Sequence, residues 1–175
     1  MWRDARRAAI YGQLQYETAS RPNSKRVPTP FGDIWMSPIE AQLYEAMRLA
    51  GLNPVPQFCV SGYFVDFAFP DVALAVEADG AAFHEGTRHE RDRKRDWIIG
   101  RAGWTVKRFH GTTIYHRADN CAYVIRKEVD ARWAWVQAQR EWAEARAREE
   151  ALRRQARREA LLRPFKNFIQ FLKRA

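Results

Sequence analysis

The amino-acid sequence predicts an α/β fold, in which a mixed sheet is flanked by helices and followed by a long C-terminal helical extension. Two observations carry this prediction. Between residues 37 and 130 the hydrophobic pattern runs helix, three strands, helix, strand, helix, which is typical of a sheet covered by helices. After residue 130 the chain is built mainly from strong helix formers. We therefore divide the chain into residues 1–36, 37–130 and 131–175.

The first section, residues 1–36, is expected to form a basic N-terminal arm. It begins with Arg3, Arg6 and Arg7, and residues 20–30 contain three prolines separated mainly by polar residues. Proline and small polar residues interrupt regular structure, so this stretch predicts an extended arm.

The central section opens with a clear helix start. Ser37 is suited to cap the helix, Pro38 to its first position, and Glu40 stands three residues after the cap. An apolar stripe follows, and Gly51 ends the helix. Further elements are expected at 57–60, 63–69 and 74–77 (strands), about 90–101 (helix), 105–109 (strand) and 120–163 (helix). Pro164 is expected to break the last helix, before a short apolar face formed by Phe165, Phe168, Ile169 and Leu172.

The charge balance favours a polyanionic partner. Thirty Lys and Arg against 21 Asp and Glu give a net charge of +9. Nucleic acid is the first candidate for such a protein, and an anionic membrane surface is the second. No apolar run is long enough to span a membrane, and the N-terminal residues do not resemble a secretory signal. We expect a cytoplasmic protein of bacterial type, associated with the nucleoid when bound to DNA.

The cysteine content argues against a disulfide bond and against a zinc site. The chain has only Cys59 and Cys121, and two isolated thiols in an intracellular protein are usually free and reduced. No Cys and His spacing resembles a zinc site.

Three carboxylates fall where two strands are expected to meet. Side chains alternate along a strand, so Glu77 and Asp79 share one face of the third strand. If the second and third strands form a hairpin around residues 70–73, Asp66 lies opposite Glu77 on the same side of the sheet.

Such a cluster needs neutralisation. Carboxylates that are close together in a partly dry site repel one another, so at least one must bind a proton or a cation. A hard divalent ion such as Mg²⁺ takes oxygen ligands and supplies the chemistry that phosphodiester hydrolysis needs. The alternative is that Asp66 and Glu77 pair with Arg or Lys, or lie at strand ends in solvent.

Five short motifs occur in order along residues 37–109. They are Ser37-Pro38-Ile39-Glu40, Val65-Asp66-Phe67-Ala68, Val76-Glu77-Ala78-Asp79-Gly80 with His84, Arg91-Asp92 with Arg95, and Gly103-Trp104-Thr105-Val106 with Arg108. As an ordered set they resemble the very-short-patch-repair (Vsr)-like endonucleases of the PD-(D/E)XK nuclease superfamily. The resemblance implies a restriction-endonuclease-like core that hydrolyses DNA phosphodiesters with Mg²⁺ or Mn²⁺, in DNA repair or in defence against foreign DNA.

The resemblance also implies individual roles. Asp66 and Glu77 would bind the metal, with the backbone carbonyl of Ala78 as a further ligand. His84 would help to activate the attacking water or handle its proton. Glu40 would reach the site from the first helix.

One position departs from the superfamily pattern. A Lys usually stands two residues after the second acid, where this chain has Asp79. The residue that polarises water or stabilises transition-state charge must then come from elsewhere. Arg91, Lys94 and Arg95 on the next helix are the candidates, and Asp79 is expected to tune the site.

A basic rim lies beside the acidic cluster in the sequence, as a nuclease requires for phosphate contacts. The residues expected to bind DNA are Arg88, Arg91, Lys94, Arg95, Lys107 and Arg108. The alternative is an ordinary solvated helix face. The tail carries Trp135 and Trp142 seven residues apart, a spacing suited to packing on the core, on a protein partner or on a second copy of the chain.

Together these features predict a divalent-metal-dependent DNA endonuclease. Two other functions stay open. One is a non-cleaving nucleic-acid-binding module that kept the fold and lost the chemistry, which the absence of Lys at Asp79 favours. The other is an RNA-directed nuclease, although the sequence has no aromatic pattern characteristic of single-strand RNA readers.

Overall fold

The computed structural model describes the backbone of residues 2–80 and 88–172, and the side chains of residues 5–80, 92–165 and 169. The elements, in chain order, are α1 (Trp2–Ala19), β1 (Lys25–Thr29), β2 (Gly32–Met36), α2 (Pro38–Leu49), β3 (Val55–Val60), β4 (Tyr63–Phe69), β5 (Leu74–Asp79), α3 (Arg88–Arg101), β6 (Thr105–His110) and α4 (Gly111–Leu172). None of the helices in these residues combines the length and hydrophobicity needed to span a bilayer.

A four-stranded mixed sheet with the order β3-β4-β5-β6 forms the centre of the fold. β3, β4 and β5 are antiparallel neighbours, whereas β6 pairs with β5 in parallel after the α3 crossover. A short 3-10 turn at Pro70–Val72 closes the β4–β5 hairpin, with Ala73 in the left-handed region at φ 49°. The predicted α/β class, the element order of residues 37–130 and the hairpin are confirmed.

Both faces of the sheet are covered. On one face, Tyr44 of α2 stacks on Phe67 of β4 with ring centroids 5.9 Å apart. On the other face, Ile99 of α3 is fully buried and packs with Ala68 and Ala75. Fully burying a side chain such as Phe67 contributes about 2–3 kcal/mol. This packing fixes the positions of α2 and α3 relative to the central strands.

The N-terminal section differs from the extended arm that the sequence predicts. Residues 2–19 form α1, and residues 25–36 form a β1–β2 hairpin. The Gln15 side chain joins them, because it accepts a hydrogen bond from the Trp35 N–H at 2.8 Å and donates to the Trp35 carbonyl at 3.2 Å. Pro28 lies within β1, a strand with only one neighbour in its two-stranded sheet, where a missing N–H is tolerated.

The last helix is longer than predicted and is interrupted near its start. Arg117 has non-helical backbone angles (φ −148°, ψ 49°). The chain divides into two units at this helix, residues 1–132 and 133–175. The prediction that Pro164 breaks the helix is wrong, since α4 continues to Leu172. The neighbouring side chains are exposed, so water can hydrate the carbonyl that loses its hydrogen-bond donor at Pro164.

Candidate active site

At Asp66, β4 does not pair with either of its neighbouring strands, β3 and β5. Pairing with β5 extends only to Phe67 opposite Val76, so the next pair in that register would be Asp66 and Glu77. On the other side, Gln57 has a left-handed φ of 48° and does not pair with Asp66. The Asp66 Oδ2 accepts a hydrogen bond from the Ala78 N–H at 2.8 Å. The Asp66 carboxylate thus links β4 to β5 at a point where the two strands do not pair through their backbones.

Glu40 approaches from the start of α2, where it completes a capping box. Its Oε2 accepts from the Ser37 N–H at 3.1 Å, and the Ser37 hydroxyl accepts from the Glu40 N–H at 3.4 Å. The sequence predicted this helix start, and it is confirmed. Glu40 also lies close enough to act electrostatically on Asp66. The same carboxylate therefore stabilises a helix end and adds negative charge to the site.

Glu77 is buried, with 7% of its surface exposed, and two guanidinium groups bind it. Arg95 of α3 donates to both Glu77 oxygens, and the Arg108 Nε of β6 donates to Oε2 at 2.9 Å. The two terminal nitrogens of Arg108 donate to the two carboxylate oxygens of Asp96, at 2.5 and 2.9 Å. Hydrogen bonding to Arg108 keeps the pKa of Asp96 below its usual range. Four charged groups from three elements thus form one network.

The charge of Asp66 is less well compensated than that of Glu77. Burial is the largest cause that raises its pKa, followed by the negative charge of Glu40, and Glu77 adds a smaller contribution. The Ala78 hydrogen bond and the Arg95 charge act in the opposite direction, and the resulting pKa is about 7. The charged form of Asp66 is therefore disfavoured in the folded protein, first by burial and then by the neighbouring carboxylates.

The remaining predicted acid and base residues are placed as follows. Asp79 is exposed at the end of β5, in register with His110. Ala78 is half-buried next to it, and its N–H is the group that binds Asp66. His84 lies outside the described residues.

The predicted DNA-binding cations do not form one free surface. Arg95 and Arg108 turn inward to Glu77, and Lys107 lies 3.8 Å from Glu128 of α4. Lys94 is exposed on α3. Arg88 and Arg91 belong to α3, but their side chains are outside the described set.

Sequence reasoning missed the network around Glu77, although it named pairing with Arg as an alternative. Two signals were available. Arg95 precedes the buried Ile99 by one helical turn and therefore shares its inward face. Arg108 stands opposite Glu77 in the parallel register of β5 and β6. Neither signal is specific until the crossover that places β6 beside β5 is known.

The acidic cluster can be compared with the needs of a divalent metal. Hard cations prefer carboxylate oxygens, and the negative charges of Glu40 and Glu77, which help to raise the pKa of Asp66, would also attract a cation. Among the described side chains, those of residues 5–80, 92–165 and 169, no group of three or more from His, Cys, Asp or Glu is already arranged around a common metal position. The donor chemistry and the charge therefore fit a metal, provided that Glu77 exchanges a guanidinium contact for it.

Comparison with known proteins gave one family and one solved structure. The model of the REase_MTES_1575 family, a restriction-endonuclease-like family, matches residues 39–129, just over half of the chain. The catalytic domain of the homing endonuclease I-Bth0305I is 15% identical, with a TM-score of 0.43, over 57% of this chain and 96% of that domain. No curated protein matches the sequence.

Proposed function

The chain belongs to the restriction-endonuclease-like family REase_MTES_1575, and we propose that it is a divalent-metal-dependent endonuclease that hydrolyses DNA phosphodiester bonds. The observation that carries the proposal is the meeting of Glu40, Asp66 and Glu77 where the β4 ladder is interrupted. A cluster of carboxylates between the two central strands of a sheet is costly for folding and is useful for holding a cation.

Asp66 and Glu77 are the proposed metal ligands, with the Ala78 carbonyl as a third. A bound Mg²⁺ or Mn²⁺ would lower the pKa of water and neutralise charge on the phosphate. The Ala78 N–H orients Asp66, and the Ser37 N–H orients Glu40. The protein thereby fixes its acidic side chains before any ligand arrives, which reduces the reorganisation needed during reaction.

Arg95 is the proposed replacement for the Lys that Asp79 displaces. Its guanidinium lies beside Glu77 and also donates to the Phe64 carbonyl at 3.1 Å, so it is held at the cluster from two sides. A cation fixed there can stabilise charge that develops on the phosphate. Arg108, held by Asp96, is the proposed second positive group.

The other site residues have supporting roles in this proposal. His84 is the proposed proton acceptor or donor for the attacking water, because a histidine titrates near neutral pH. Asp79 would tune the charge at the end of β5. Lys94 and Lys107, with Arg88 and Arg91, would contact phosphates on either side of the scissile bond.

Narrower assignments also belong to the proposal. The motif order is similar to that of Vsr-like endonucleases, and DNA repair or defence against foreign DNA would suit such an enzyme. A cytoplasmic location of bacterial type, next to the nucleoid, would suit a DNA substrate. The tail, with Trp135, Trp142 and Phe165 exposed, is the segment proposed for self-association or a protein partner.

A non-cleaving DNA-binding module is the second candidate. Two observations favour it: Glu77 already has two guanidinium partners, and Asp79 replaces the expected Lys. In such a module Arg95 and Arg108 would neutralise Glu77 permanently, and no metal would be needed.

Cleavage of supercoiled plasmid with Mg²⁺, Mn²⁺ or EDTA separates the two candidates. The variants are Asp66→Asn and Glu77→Gln, and Asp33→Asn, at an exposed carboxyl of the hairpin, is the matched control. The proposal predicts metal-dependent nicking or linearisation that both site variants lose and the control keeps. Salt-sensitive DNA binding without cleavage by the unmodified protein would favour the binding module. A structured RNA in a parallel reaction tests the RNA-directed alternative.

A further inference from the structure

A cleft of about 650 Å³ lies beside β4, between α1, the turn that joins β3 to β4, and α3. Its size is within the range of about 300–1,000 Å³ that is typical of small-ligand sites. The residues that line it include Arg6, Arg7, Ile10, Cys59, Tyr63 and Phe64.

The walls of this cleft combine two kinds of chemistry. Arg6 and Arg7 are exposed on α1 and line the cleft on that side. Phe64 of β4 is half-buried on the opposite side, and its ring contacts that of Tyr11 with centroids 5.7 Å apart, whereas the neighbouring Tyr63 packs on the core around Ile99. Guanidinium groups bind phosphate, and aromatic rings stack on bases. A nucleotide carries both groups.

The cleft lies next to the candidate active site, and Phe64 belongs to both surroundings. The Phe64 side chain lines the cleft, while its carbonyl accepts a hydrogen bond from Arg95, which binds Glu77. Phe64 precedes Asp66 by two residues, about 7 Å along a strand. A DNA strand with one phosphate at Asp66 would therefore have a neighbouring nucleotide close to the cleft.

We propose that this cleft binds one unpaired nucleotide of the substrate strand, next to the scissile phosphate. The base lies against Phe64, and its phosphate contacts Arg6 and Arg7. The inference rests on the proposed function, which it narrows to DNA that has an unpaired nucleotide near the cleavage point. A paired base must first leave the stack at a cost of a few kcal/mol, whereas a bulged base is already free, so bulged DNA is preferred.

The first test measures binding in EDTA, where no cleavage occurs, by fluorescence anisotropy on the full chain. The probes are two duplexes that differ by one bulged nucleotide. The unmodified protein should bind the bulged duplex about tenfold more tightly, which corresponds to about 1.4 kcal/mol. Arg6→Gln/Arg7→Gln should abolish this preference. Arg157→Gln/Arg158→Gln, which removes the same charge from an exposed pair on α4, should keep it.

The second test needs no variant. Cys59 is half-buried in the cleft wall and Cys121 is buried, so alkylation by N-ethylmaleimide, read for each peptide by mass spectrometry, reports on the cleft. Bulged DNA should slow alkylation of Cys59 about fivefold or more relative to paired DNA, as expected when most molecules hold the nucleotide.

Equal binding of the two duplexes by the unmodified protein would overturn the inference, as would equal protection of Cys59. A preference that persists in folded Arg6→Gln/Arg7→Gln would also overturn it, and if that variant does not fold, Cys59 protection decides. The two proposals can fail independently. If the plasmid assay shows no metal-dependent cleavage while the preference for bulged DNA remains, the proposed hydrolysis is wrong and the nucleotide-binding cleft is retained.

Discussion

Asp66 has a carboxyl group whose charged form is disfavoured by its surroundings. Burial and Glu40 raise its pKa to about 7, from an ordinary value of 3.8 in the unfolded chain. The folded protein therefore holds this proton more tightly than the unfolded chain does. The stability that Asp66 contributes is complete below about pH 4 and is lost as the pH rises through about 7.

Asp66→Asn removes this penalty and keeps an oxygen that accepts the Ala78 hydrogen bond. In EDTA the variant should unfold at a higher temperature than the unmodified protein at pH 8, with little difference at pH 4. Thermal unfolding followed by circular dichroism across this range gives the answer, with Asp33→Asn as the control. A gain of the same size at both pH values would contradict the pKa that we describe.

Arg95 compensates the buried negative charge of Glu77, so its removal should lower the free energy of unfolding. Arg95→Gln leaves Glu77 with Arg108 as its guanidinium partner, so we expect a loss of about 2–3 kcal/mol in the free energy of unfolding. Glu77→Gln in the same chain should restore part of it, since no buried charge then lacks a partner. Urea unfolding of both single variants and the double variant measures this coupling.

Lys94→Gln is the matched control for Arg95. It removes the same charge from the neighbouring, exposed position on α3 and should change stability by less than about 0.5 kcal/mol. Equal losses in the two variants would show that the charge of α3 matters and the contact with Glu77 does not.

At the scale of elements, α2 joins helix capping to the site through one residue. Ser37→Ala should cost about 1 kcal/mol of stability, because it leaves the Glu40 N–H without its acceptor, and metal-dependent cleavage by the folded protein should be unchanged. Glu40→Gln should behave in the opposite way. Its amide oxygen still accepts from Ser37, so stability stays within about 0.5 kcal/mol, while cleavage falls about tenfold or more.

Urea unfolding and plasmid cleavage on the same preparations test both variants. If Glu40→Gln cleaves as well as the unmodified protein, Glu40 is a capping residue and does not belong to the site.

The elements also show where a sequence pattern is informative. α2 and the β4–β5 hairpin were predicted correctly, because Ser37 and Gly51 mark the helix ends and strand alternation marks the buried face. The N-terminal hairpin was missed because Pro28 and its polar neighbours resemble a loop. Its strands are stabilised by partners distant in sequence, such as Gln15, and no local pattern reports such contacts.

At the scale of the whole molecule, the net charge of +9 should dominate binding to DNA. Each phosphate contact contributes about −0.9 to the slope of the logarithm of affinity against the logarithm of salt concentration. With five or six contacts, affinity for paired duplex in EDTA should fall about 500- to 2,000-fold between 50 and 200 mM KCl. Anisotropy titrations at four salt concentrations measure the slope, and a flat dependence would argue against a nucleic-acid partner.

The sequence by itself determined the order of elements in the core, the hairpin register in which Asp66 and Glu77 would be the next pair, and the basic character of the chain. These features depend on local periodicity, helix caps and composition, which act over a few residues. Only the tertiary structure decided that Arg95 and Arg108 neutralise Glu77, that burial raises the pKa of Asp66, and that α1 closes a cleft beside the site. Those outcomes depend on groups 11 or more positions apart in the chain, whose interaction energies are set by burial and packing.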